Sequence, residues 1–160
     1  MGKYVDITVE GLADLEKKLA NPEVVLGEPF RDYFGQMTAI VEGSVRLLTP
    51  AFSGKLLSRL YSQIDPKPIP HWAKVANRAP HAWLVEFGSK PHFPPPNNPR
   101  LIEWGKSHGF ENTFVLARAI SRKGTQGAFM FRRAMVLSAA LLEGMVAQIA
   151  RKVEELWERE

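Results

Sequence analysis

The stretch Pro66–Pro99, PKPIPHWAKVANRAPHAWLVEFGSKPHFPPPNNP, decides the fold class. Ten of the chain's 12 prolines lie between Pro50 and Pro99; the other two are Pro22 and Pro29. Proline lacks a backbone donor and ends helices, so the middle of the chain is expected to form strands and loops between two helical ends. That is an α+β arrangement, not an alternating β/α one. Within the stretch, evenly spaced Pro66, Pro68 and Pro70 predict an extended crossing. Trp72–Asn77 and Ala82–Phe87 are rich in aromatic and branched residues and predict two strands around Pro80, the second ended by Gly88. Trp83, Val85 and Phe87 are then expected to include core residues. Lys90–Pro99 predicts an exposed, stiff loop.

Outward from this middle the pattern turns helical. On the N-terminal side, Val5, Ile7 and Val9 alternate as a short strand, and Leu12, Leu15 and Leu19 recur at helical spacing up to Asn21-Pro22. A long helix is expected from Pro29, in a first turn, along Phe30, Tyr33, Phe34, Met37, Val41, Val45 and Leu48 to Pro50. Ala51–Gly54 reads as a turn, and Lys55–Ile64 as a strand or mixed element. On the C-terminal side, Asn98-Pro99 starts a short helix stopped by Gly105 and Gly109. Asn112 or Thr113 caps a second one ending at Gly124. The last helix runs from about Phe131 to Trp157, with Leu142, Met145, Val146, Ile149, Val153 and Leu156 on one stripe. The expected fold is a small antiparallel or mixed sheet packed against N-terminal and long C-terminal helices, in one domain over residues 1–160.

Composition narrows the function classes. The chain has 160 residues, 45% hydrophobic and 24% charged, which is globular composition. It has no cysteine, which removes disulfides, thiolate metal sites and thiol catalysis. Met1–Gly11 holds no apolar run of the secretory-signal type. Ala134–Ala150 is apolar but carries Glu143 near its centre, so it is expected to be the buried face of a soluble helix and not a membrane span.

The formal net charge of +4 is unevenly placed. Residues 1–99 carry 11 Lys/Arg against 10 Asp/Glu, residues 100–133 carry 7 against 2, and residues 134–160 carry 3 against 5. A basic cluster such as 100–133 suits phosphate or an acidic protein face; a solvated loop and helix face is the plainer alternative.

The chemical motifs are thin. His71, His81, His92 and His108 match no metal-site spacing. Ser53-Gly54 lacks the flanking glycine of a nucleophile elbow, and Gly54-Lys55 lacks the phosphate-loop spacing. Glu86 would serve as a general base only against the commoner reading, an ion-paired structural Glu. No enzyme, cofactor or metal site is expected.

Three blocks in order carry a family likeness. Pro50-Ala51-Phe52-Ser53-Gly54-Lys55-Leu56 resembles the Pro-x-x-(Thr/Ser)-Gly-x-Leu turn of the HK97 gp10-like tail-component proteins of tailed bacteriophages. Ala82-Trp83-Leu84-Val85-Glu86-Phe87-Gly88-Ser89 is similar to their Ala-x-x-Val-Glu-Phe-Gly-Thr strand. Ala117–Thr125, followed by Phe129-Met130-Phe131-Arg132-Arg133-Ala134, resembles their basic helix, Gly-Thr loop and entry to the last helix. The chain departs from the pattern at His81, Arg59 and Phe129.

The resemblance implies a non-enzymatic virion protein, made in the bacterial host cytoplasm, in a ring at the head–tail junction or tail end. Its implied partners are copies of itself, neighbouring connector or head-closure proteins, tail-terminator or tail-tube proteins, and packaged DNA passing through the lumen without sequence-specific binding. No membrane partner is implied. The motif residues Ser53, Gly54, Leu56, Val85, Glu86, Phe87 and Gly88 are then architectural. A subunit interface is expected at Arg118, Arg122, Lys123, Phe129, Phe131, Arg132 and Arg133, with the Gly124–Gly127 segment mobile in the free subunit. The loop residues Phe93, Pro94, Pro95 and Pro96 are expected to add a contact arm. A nucleic-acid-binding protein using residues 100–133 is the alternative, and a hydrolase built on Glu86 and His81 a remote third.

Overall fold

The computed structural model describes residues 20–50 and 54–159. The expected strand at Val5–Val9, the helix over Leu12–Leu19 and Ser53 lie outside the described residues. The fold is α+β, with two small antiparallel sheets and a long C-terminal helix.

Helix α1 is Pro22–Leu48. Proline suits a first helical position because its missing amide has no intrahelical partner there, and Pro22 takes that place. Pro29, expected in the first turn, instead lies inside the helix. At the other end, Thr49 donates its hydroxyl to the Val45 carbonyl at 2.6 Å, and Pro50 disfavours a further helical residue before it.

A 3-10 turn at Leu57–Arg59 leads into β1, Leu60–Ile64, which pairs with β2, Ala73–Asn77. Four elements follow: α2, Ala82–Phe87; β3, Gly88–Ser89; α3, Pro99–Ser107; and α4, Thr113–Lys123. Strand β4, Thr125–Gln126, pairs antiparallel with β3. The chain ends in α5, Met130–Arg159.

Local signals set several of these boundaries. Asn98 accepts the Arg100 amide at 3.0 Å to cap α3, and Asn112 accepts the Phe114 amide at 2.9 Å to cap α4. Gly124, with φ of 71°, closes α4 in a conformation that Cβ-bearing residues resist. Gly105 does not stop α3; it is buried inside the helix, and the end falls at His108.

The Ala82–Phe87 strand is corrected to helix α2. Six residues cannot separate the two periods, because positions 83 and 87 share a face in both. What differs is the inward face. Helical spacing turns Glu86 and Val85 inward, while Trp83 is 68% and Phe87 52% exposed. The expected core role of Trp83 and Phe87 is therefore overturned.

The chain's contacts group into two compact units. One comprises the described parts of Met1–Ala39, Gln63–Lys74 and Ala139–Glu160. Its loop after β1 is organised by Asp65, whose carboxylate accepts the amides of Lys67 at 3.3 Å and His71 at 3.2 Å. Burial raises the pKa of this carboxyl, but those two amides, the Lys67 charge and the His71 ring outweigh it and hold it below the ordinary aspartate range. Arg31 donates to the Lys67 carbonyl at 2.6 Å and ties α1 to the loop.

The other unit is Ile40–Ser62 with Val75–Ser138. Its core has two clusters, Val45/Leu60/Ala134 and Leu56/Ala79/Met130, with Leu48 and Phe131 packed against both. Leu56, named from the first motif block, is thus a core residue.

Candidate functional site

Two of the three motif blocks meet in a single construction of backbone and glycine. Ser89 pairs with Thr125 and Gly88 with Gln126. The Ala128 amide donates to the Val85 carbonyl at 2.8 Å, and the Phe129 amide to the Glu86 carbonyl at 3.1 Å. The approach is too close for side chains. A Cβ on Gly88 would overlap the Thr125 carbonyl oxygen, one on Gly124 the Ser89 carbonyl oxygen, and one on Gly127 the Glu86 carbonyl oxygen. Within the Gly124–Gly127 segment, expected to be mobile in the free subunit, Thr125 and Gln126 form a strand paired with β3 of the same chain.

Glu86 closes the clasp. Its carboxylate is buried and accepts the α5 amides of Phe131 at 3.1 Å and Arg132 at 3.3 Å. The first amides of a helix lack intrahelical acceptors and favour negative charge, so Glu86 caps α5 from another element. The expected ion pair is not its role. A hydrolase would need this carboxylate as a base, and it is engaged by the helix. Phe129, with φ of 51°, turns the chain into α5. The left-handed region costs a non-glycine residue about 1–2 kcal/mol, which the Phe129–Glu86 backbone bond helps to offset.

The expected interface residues separate into two groups. Phe131 packs inward on both core clusters and so serves this chain's own core, and Phe129 is half-buried. The cations Arg118, Arg122, Lys123, Arg132 and Arg133 are all exposed, as are Arg100 and Lys106. In the Lys90–Asn98 segment, which forms no helix or strand, Phe93 and Pro95 are exposed and Pro94 and Pro96 half-buried. The Phe93 ring meets Phe114 of α4 edge-on, with centroids 6.2 Å apart.

Sequence reasoning missed the apolar surface. Trp83 and Phe87, with ring centroids 4.2 Å apart, stand outward on α2 beside Leu84. On α5, Met135, Val136, Leu137, Leu141 and Val146 are each more than half exposed. The expected buried face of Ala134–Ala150 reduces to Ala134, Ser138 and Met145, with Leu142 and Ile149 half-buried. By length and composition alone Met130–Leu156 is apolar enough to cross a membrane, although it carries Glu143.

A cavity of about 510 Å³ lies in the second unit, between the Pro-rich loop, α2, α3 and α4. Leu84, Leu101, Trp104 and Ile120 form its apolar lining. Lys55 and Arg100 bring fixed positive charge, His81 and His92 face it, and Glu103 is its one acid. Among the described residues, no group of three His, Asp or Glu side chains is arranged to hold a metal.

Compared with known proteins, the chain matches no family model, no curated protein and no solved structure.

Proposed function

We propose that the chain is a structural component of a tailed phage, prophage or phage-derived particle, forming part of a ring at the head–tail junction or tail end. The observation that carries the reading is the exposed apolar surface of α2 and α5. Exposed apolar side chains in such numbers mark an interaction site more often than a bare solvent face. The likeness of the three sequence blocks supplies the kind of assembly. The clasp supports it from another side, since the motif residues Val85, Glu86 and Gly88 are engaged in joining α2 to the approach and first turn of α5. Copies of the chain, adjoining connector or tail-tube rings and lumenal DNA are the proposed neighbours.

One observation favours a second reading, nucleic-acid binding through residues 100–133. All seven cations of that segment are exposed, and Trp104, Phe110 and Phe114 are exposed among them. Exposed rings between cations suit stacking on bases beside neutralised phosphates. Sedimentation of the full chain, with and without DNA at several salt concentrations, separates the two. A structural subunit associates with itself and holds DNA weakly. A monomer whose tight DNA binding falls steeply with salt would reverse the ranking.

A further inference from the structure

The cavity between the Pro-rich loop and helices α2–α4 is amphipathic and electropositive. Its rim sets Lys55 and Arg100 against Glu103 alone, and neither cation has an ion-pair partner among the described residues. Its volume is within the roughly 300–1,000 Å³ typical of ligand pockets. Such a site suits an acidic segment that also carries apolar side chains.

The last turns of α5 are such a segment. Residues 153–160, VEELWERE, hold four glutamates and one arginine around Leu156 and Trp157. Glu154, Glu155 and Glu158 are exposed on the last turns of α5, without ion pairs among the described residues. They stand where the helix dipole is negative, the wrong end for acidic side chains. A cationic partner removes that conflict.

We propose that the cavity receives the acidic last turns of α5 from a second copy of the chain. The proposal rests on the ring reading and gives it a contact. Socket and plug are different surfaces of one subunit, so the contact is heterologous and propagates head to tail until rotation closes it.

The test uses two full-length variants, Lys55→Glu/Arg100→Glu in the socket and Glu154→Lys/Glu155→Lys/Glu158→Lys in the plug, followed by native mass spectrometry and sedimentation velocity. All five positions are exposed, so both variants should fold, which circular dichroism verifies. Each variant alone should self-associate at least about tenfold more weakly than the wild type. An equimolar mixture should assemble again, with the two variants alternating, because each plug then meets a socket of opposite charge. Combining both sets in one chain should restore assembly. Variants that assemble like the wild type overturn the docking and leave the ring reading standing. A wild-type chain that stays monomeric at every concentration overturns the docking too, and the ring reading is then decided by whether the chain is found in particles.

Discussion

The Glu86 carboxylate accepts the Phe131 amide at 3.1 Å across 45 residues of sequence. It also accepts the Arg132 amide at 3.3 Å, so α2 caps α5. Glu86→Ala leaves both part-buried amides without this acceptor, and the expected loss is about 0.5–2 kcal/mol, that of a lost helix cap. Glu86→Gln keeps one accepting oxygen and loses the charge, so it should fall between. Urea unfolding measures both; a loss below about 0.5 kcal/mol for the alanine variant, within the range of ordinary surface changes, would contradict the capping role.

Glycine substitutions should split by sign. Gly88→Ala and Gly124→Ala each force a Cβ into backbone at positive φ, and each should cost about 1–3 kcal/mol or more. Gly43 lies inside α1 with nothing near its missing Cβ. Gly43→Ala should instead stabilise by about 0.5–1 kcal/mol. Thermal unfolding of the three variants gives the comparison, and equal effects would refute the clasp.

The outer face of α2 should matter for association more than for folding. Phe87→Ala removes a half-exposed ring packed at a tilt against Trp83, at an expected cost of about 1 kcal/mol, not the roughly 3–5 kcal/mol of a buried aromatic. Trp83→Ala should behave alike in unfolding while weakening self-association. A loss of several kcal/mol from either would place these rings in the core.

How legible this was depended on range in the chain. The Asn98 and Asn112 caps and the closing Gly124 are local signals, read within a few residues of each helix end. Six-residue α2 was misread because an aromatic at i and i+4 satisfies both periods; the deciding fact, an acceptor for the α5 amides at Glu86, lies 45 residues away. The sequence likewise marks Gly88 and Gly124 as the ends of elements and Gly127 as part of a loop, while all three also permit backbone approach between distant segments. The cavity draws on the turn after Gly54, α2, the Pro-rich loop, α3 and α4, and no single window contains its signal. On α5 the expected stripe is buried or half-buried except at Val146, while the equally apolar Met135, Val136, Leu137 and Leu141 are exposed, and composition does not separate the two sets.

Acid should act on the loop after β1 through Asp65. Its carboxyl is held below the ordinary range, chiefly by the His71 and Lys67 amides acting against burial. A depressed folded-state pKa contributes stability that is complete above the ordinary aspartate value of 3.8 and is lost as pH falls through the folded value. Asp65→Asn should therefore unfold at lower temperature than the wild type at neutral pH, and the difference should shrink in acid below that value. A gap that stays constant across the whole acid range would refute this assignment.

The most direct test of the structural role is quantitative mass spectrometry of gradient-purified tailed particles from the host that carries the gene, with antibody labelling in the electron microscope. The chain should be present in a fixed number of copies per particle, with label at the head–tail junction or tail end. Intact tailed particles that lack the chain would contradict the account.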